Sequence, residues 1–232
     1  MVTRSSLILA FALVFAAFIL IPPFLSQPFP AYPLIHWADV FDLLTPLVLV
    51  PLYWLVFSDS GNMTRGLRLT AAFLVLAALW TLGQGMHLGA NSINNLLGAG
   101  SGDVHGLVHF YDEVLSHYLW HAGIAGLSIL LVFAASPHPP AATPVRWGLV
   151  ATSAIVYGLT YFLAINEGGT VPLGLPAAIL IPVAVLAFRR QDLRTHNLIA
   201  FFFASYILAV VLFVAWYAYW GGFPEFSEVG LL

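Results

Sequence analysis

Long apolar runs, broken mostly at turns bearing proline, glycine or arginine, restrict this chain to one class of fold. A helix needs about 20 mainly apolar residues to cross a bilayer, and in lipid only helices and closed barrels satisfy every backbone polar group. Seven stretches meet the helical requirement, near residues 6–25, 41–58, 68–89, 112–135, 147–165, 171–188 and 197–220. Only 7% of residues are Asp, Glu, Lys or Arg, against about a quarter in soluble domains. The expected fold is therefore all-α: residues 1–232 form a single domain, a polytopic membrane bundle of seven transmembrane helices. The second helix carries Pro46 and Pro51, and the sixth carries Pro172, Pro176 and Pro182, so both are expected to kink.

The arginines test this count. Arg4 lies before helix 1, Arg65 and Arg68 lie between helices 2 and 3, Arg146 between 4 and 5, and Arg189, Arg190 and Arg194 between 6 and 7. All seven fall on one side, which by the positive-inside rule predicts a cytoplasmic N-terminus and an external C-terminus. A prokaryotic plasma membrane is the expected location. Arg4 also resembles a signal-peptide n-region, but no A-x-A cleavage signal follows the first run, so it is expected to be a retained helix.

Absent residue types narrow the chemistry. There is no cysteine, which excludes disulfides, iron–sulfur clusters and thiolate metal sites. All seven basic residues are arginines, so the Schiff-base lysine of a retinal protein is missing.

The polar residues gather on the outer side under this topology. These are Asp39, Asp42, Asp103, Asp112, Glu113, Glu167, Glu225 and Glu228, with His36, His87, His105, His109, His117 and His121. Only Asp59 and Asp192 among the acids, and His138 and His196 among the histidines, lie inside. The inner half of the bundle offers neutral groups such as Thr152, Ser153, Ser205 and Tyr206.

The densest stretch is HGLVHFYDEVLSHYLWH, residues 105–121, with an ionisable group at every fourth position. Each step of four drifts by about 40° around a helix, so five positions sweep too wide an arc for one centre. Glu113, His117 and His121 share a face, while His105 and His109 belong at the mouth. His121 falls roughly 12 Å inside the membrane at 1.5 Å per residue. Ionisable groups at such depth face the bundle and are functional by default.

Helix 3 presents a matching face in GQGMHLGANSINN, with Gln84, His87, Asn91 and Asn95, and with Gly83 and Gly85 permitting close packing. The following segment, NNLLGAGSGDV, reads as a helix end, a turn and a new N-cap at Ser101 or Asp103. The inner loop SPHPPAATP, residues 136–144, reads as a proline-rich connector.

HxxxH at His117 and His121 suits divalent metal ligation. The expected metal ligands are His87, His117, His121 and Glu113, with Glu113 or Asp112 as catalytic base to a bound water. Asp42 and Asn91 are expected to support the ligands from behind. Asp112 and Glu113 point about 100° apart on a regular helix, which favours Glu113 for the site unless that turn is distorted. Zinc is the leading metal, and ligation by nitrogen and oxygen alone also accommodates iron, copper or manganese.

A histidine, a later acid and an HxxxH pair, here His87, Asp112, His117 and His121, resemble the pattern of seven-helix zinc hydrolases such as the alkaline ceramidases and adiponectin receptors. In this chain the HxxxH pair lies on helix 4 instead of the last helix, and helix 7 has no outer histidine.

The function expected from these residues is a membrane metalloenzyme whose outward-facing site acts on a small or lipid-like substrate, within the lipid bilayer and without nucleic acid. The alternatives are a metal-ion or proton transporter, a haem protein with His87 and His117 or His121 as axial ligands, and a non-catalytic assembly factor docking a partner through the segment between helices 3 and 4.

Overall fold

A computed structural model describes residues 4–59, 66–98, 100–135 and 146–231. Arg65, His138 and the connector 136–144 lie outside the described residues. The described residues form seven long helices: α1 (Arg4–Leu20), α2 (Trp37–Asp59), α3 (Leu67–Leu97), α4 (Asp103–Ala134), α5 (Trp147–Glu167), α6 (Val171–Arg194) and α7 (Asn197–Trp220). The last six are long and apolar enough to cross a membrane, which supports a multi-pass helical membrane protein. At 17 residues α1 is shorter. It stops before the expected residue 25 because Pro22 and Pro23 turn the chain into a short 3-10 segment, Pro22–Phe24.

The largest departures from the expected spans lie where α3 and α4 meet. Helix α3 continues to Leu97, and α4 already begins at Asp103. The asparagines at the end of α3 find partners within reach of the helix: Asn91 donates to Asp39 at 3.3 Å, Asn94 to Asp112 at 3.4 Å and Asn95 to Asn91 at 3.4 Å. Helix α3 ends at Gly98, whose φ of 62° suits glycine. At the start of α4 the cap position is Gly102, with no side-chain bond, in place of the expected Ser101 or Asp103. The long segment on which a docking role depended is thus shortened to the five positions between Leu97 and Asp103.

Packing closes the helices into a ring in the order α1, α2, α3, α4, α6, α7, α5 and back to α1. At one end, Asn197 of α7 donates to Ser5 of α1 at 2.8 Å, and Arg189 of α6 reaches Val132 of α4 at 3.1 Å and Asp192 at 2.6 Å. The opposite end holds the start of α2, the end of α3, the first half of α4, the end of α5 and the segment following α7.

Two glycines set the spacing of α3 and α4. A Cβ on Gly83 would lie 2.6 Å from the carbonyl oxygen of Ser116, and one on Gly123 would lie 2.8 Å from Trp80 Cβ. The helices therefore approach backbone to backbone, as small residues allow in membranes.

Aromatic rings fill the centre of the ring of helices. Phe11, Phe15, Tyr53, Trp80, Tyr157, Phe201 and Tyr206 are fully buried, with Phe15 and Tyr157 4.6 Å apart. A directed hydroxyl chain crosses this core. Ser128 donates to the carbonyl of Ile124 at 3.0 Å, so it accepts from Tyr157 at 3.0 Å, which in turn accepts from Tyr53 at 2.8 Å. The Tyr157→Phe variant removes the middle link, and its expected cost is about 1 kcal/mol, typical of interhelical hydrogen bonds in membranes. Equilibrium unfolding in mixed detergent micelles measures it, and a variant as stable as wild type refutes a stabilising role for the chain.

Candidate functional site

At the end opposite Arg189, three helices bring polar groups together in a graded series. Asp42, one turn into α2, accepts from Gln84 of α3 at 2.8 Å. One turn above Gln84, His87 places Nε2 3.8 Å from Asp42 Oδ2 and Nδ1 2.9 Å from Asp112 Oδ1 of α4. Nδ1 also lies 3.4 Å from the Asp112 carbonyl. The buried carboxylate of Asp112 thus meets His87 from one side while Asp42 stands on the other.

A distortion of α4 makes this possible. Its backbone is π-helical over Phe110–Leu115, between regular helix at Asp103–His109 and Ser116–Ala134. Such bulges often occur at functional sites. Here the wider turn accommodates both adjacent acids. Asp112 is fully buried against α3, whereas Glu113 keeps its side chain 44% exposed, with Oε2 3.9 Å from His117 Nδ1. The sequence favours Glu113 for the site and keeps Asp112 possible if this turn is distorted; the turn is π-helical, Asp112 engages His87, and Glu113 lines the cavity.

His117 and His121 lie on the inner face of α4, against the turn that follows α5. His117 Nδ1 stands 3.2 Å from the carbonyl of Gly168, and His121 Nδ1 2.6 Å from Thr170 Oγ1. Gly168 is needed for this approach, since a Cβ there would lie 2.7 Å from His121 Cε1 and 3.3 Å from His117 Nδ1. The His87 and His117 rings are 4.9 Å apart, and those of His117 and His121 are 5.9 Å apart. Trp120 stacks on His121 at 4.3 Å.

Hydrogen-bond chemistry fixes the tautomers. A carbonyl only accepts, so His117 carries its proton on Nδ1. Thr170 donates to the Ile165 carbonyl at 3.3 Å and therefore receives the proton of His121 Nδ1. Nδ1 of His87 likewise faces only acceptors of Asp112. In the neutral rings of His117 and His121, Nε2 is then a bare lone pair, whereas Nε2 of His87 faces Asp42 Oδ2 at 3.8 Å. His121 Nε2 is buried with no hydrogen-bond partner.

Above these groups opens a cavity of about 1140 Å³. His87, Glu113 and His117 form part of its wall, and apolar residues from the end of α1 form another part. Its outer rim is the segment after α7. Asn166 and Trp216 both donate to the Pro224 carbonyl, at 2.7 and 3.0 Å, and Glu167 Oε2 accepts from the backbone of Phe226 at 2.7 Å and Ser227 at 3.3 Å. Partial burial, followed by the charges of Glu167, Glu228 and Glu113, raises the pKa of Glu225 on this segment.

No family model, curated protein or solved structure matches the chain.

Of the expected site residues, His87, Asp112, Glu113, His117 and His121 are neighbours. Asp42 and Asn91 line the same cavity, and Asn91 donates to Asp39. Among the described residues, no group of three or more His, Asp or Glu side chains stands where it would hold a metal ion. His87 is drawn towards its two acids, and the π turn directs Glu113 towards the cavity. Of His105 and His109, expected at the mouth, His109 lines the cavity, and elsewhere on this side His36 reaches Asn95 at 3.5 Å. Gly168 and Thr170 escaped the sequence reading because a carbonyl and a hydroxyl in a turn carry no pattern. Glu167, one of the acids expected on the outer side, also ties down the rim. In the Glu167→Ala variant the two backbone donors lose a charged acceptor, so limited proteolysis should cleave within 222–231 about tenfold faster. Unchanged cleavage would show that the tail is held by other contacts.

Proposed function

We propose that the protein is a seven-span membrane enzyme dependent on a divalent metal ion, with its cavity on the external side and an amphiphilic substrate. The observation carrying this reading is the occupation of all three Nδ1 atoms by separate acceptors: a carboxylate at His87, a carbonyl at His117 and a hydroxyl at His121. Histidines that ligate metals characteristically donate their second nitrogen in this way, which fixes the ring and leaves Nε2 for the ion. The ring spacings of 4.9 and 5.9 Å agree with this. Two imidazoles on one tetrahedral ion, each nitrogen about 2.1 Å away, hold their centres about 5 Å apart.

On this reading Nε2 of His87, His117 and His121 would hold the ion together with a carboxylate oxygen of Asp42. Asp112 then orients His87. When bound, the metal supplies Lewis acidity and a water that ionises near neutral pH. Glu113, beside His117 and open to the cavity, is placed to exchange a proton with whatever occupies it. The external placement follows the arginines: Arg68, Arg146, Arg189, Arg190 and Arg194 stand at helix ends away from the cavity.

Metal analysis of protein purified without chelators tests the proposal. About one equivalent of zinc, iron, manganese or copper per chain is expected. Protein that is folded yet free of metal, and takes up none on dialysis against these ions, overturns it.

A further inference from the structure

The turn from Asn166 to Thr170 has two sides. On one it holds the tail, the segment that follows α7. Asn166 donates to the Pro224 carbonyl at 2.7 Å, Glu167 Oε2 accepts from the backbone of Phe226 and Ser227, and a Cβ on Gly169 would lie 3.1 Å from Glu225 Oε1. On the other it orients the histidines of α4, through the Gly168 carbonyl and the Thr170 hydroxyl. Each of the five residues thus faces the tail or a histidine. The Gly169 amide donates to the Asn166 carbonyl at 3.2 Å, so a displacement of Asn166 is carried into the residues that meet His117 and His121.

The tail forms the outer rim of the cavity through Glu225, Phe226, Ser227, Glu228 and Leu231. Its hold on the bundle is narrow. Between Gly221 and Leu231 only Phe226 is buried, with its ring 4.5 Å from Trp216 and 5.7 Å from Phe162, while Ser227 and Glu228 are exposed. Gly221 and Gly222 join the segment to α7. Few buried contacts and backbone bonds near solvent mark the parts of a protein that open first.

Access to the site also calls for movement. Nε2 of His121 is buried, so an ion reaches it only when a neighbour yields. Of the two groups that flank this ring, Trp120 is fixed by the close approach of its backbone to Gly83, whereas Gly168 belongs to the turn that the tail holds.

We propose that the tail is a gate coupled to the histidines. Docked, it holds the turn where Gly168 and Thr170 orient His117 and His121; lifted, it opens the outer side of the cavity and frees both imidazoles. A divalent ion on these histidines and a docked tail then stabilise one another by the same factor. The ion in this inference rests on the metalloenzyme reading; the link between tail and imidazoles does not need it.

Hydrogen exchange of full-length protein in maltoside micelles tests the gate, with chelated and zinc-loaded samples compared. Zinc is expected to slow exchange of residues 222–231 about tenfold. Phe226→Ala removes the one buried anchor without altering the turn. It should speed the same exchange in chelated protein and weaken zinc binding about tenfold, as read by competition with an indicator dye. Nitrogen NMR of the imidazoles supplies a readout without metal: wild type keeps the protons of His117 and His121 on Nδ1, and Phe226→Ala admits the Nε2–H form. Glu167→Ala, which releases the tail from the other side, should reproduce both effects. Faster exchange with unchanged tautomers overturns the proposal, as does a tail that neither variant loosens. Tautomers that respond in a protein unable to take up zinc would sink the metalloenzyme reading alone. Zinc held equally well by wild type and by variants with a loosened tail would sink only the gate.

Discussion

The His121→Ala protein is expected to be purified with less than about one tenth of the wild-type metal, since losing a ligand costs more affinity than the 10–100-fold typical of changes behind one. Two features make His121 the sharpest probe. Its ring is 1% exposed, and its Nδ1 is committed to Thr170, so it has one lone pair and no competing role at the surface. Its Nε2 is also buried without a partner, a situation that native proteins rarely tolerate without a ligand, ion or ordered water. His36→Ala serves as the control, since His36 lies at the periphery and reaches Asn95. Asp112→Asn distinguishes ligation from orientation. Its side chain can turn an N–H towards His87 Nδ1, and the expected result is metal that binds more weakly, not metal that is absent. Equal metal content in wild type, His121→Ala and Asp112→Asn would show that the buried histidines serve packing and hydrogen bonding alone.

The second large effect is expected far from any ionisable group. Gly83→Val places a branched side chain where even a Cβ would lie 2.6 Å from the Ser116 carbonyl and 2.6 Å from the Trp120 amide nitrogen. Both obstacles are backbone, so relief requires α3 and α4 to separate. Overpacking of this kind costs about 1–3 kcal/mol, and here it also moves His87 away from His117. A lower unfolding midpoint together with lost metal is expected. If stability falls while metal content is retained, the site does not depend on the α3–α4 approach. Gly85→Val, where a Cβ would meet nothing within 4 Å, should change neither quantity.

Much of the helical bundle was legible because apolar length is a one-dimensional signal. The limits of α7 agree with the expected span, and those of α2 and α5 to α6 differ by a turn or two at one end. Helix α3 overran its expected span because Asn94, in the segment read as a helix end, resembles a loop residue until Asp112 is brought near in space. The partnership of helices 3 and 4, and the facing of His87 towards His117, followed from spacing and adjacency. The choice between Asp112 and Glu113 did not, because a regular helix separates neighbours by a fixed angle and the π turn at Phe110–Leu115 removes that constraint. Gly168 and Thr170 were invisible for a different reason: their contributions depend on where a turn from a distant helix comes to rest.

That turn has a consequence for biogenesis. A chain emerging from the ribosome through α4 already contains Asp42, Gln84, His87 and Asp112, every partner of the first histidine. The acceptors that orient His117 and His121 do not exist until residues 168–170 have been synthesised. Helix α1 also waits on one side, since one of its two neighbours in the closed ring is α5 and its terminal bond is to Asn197. The cluster is therefore assembled in two instalments during insertion, with the imidazoles on α4 free to rotate until the second half of the protein enters the bilayer.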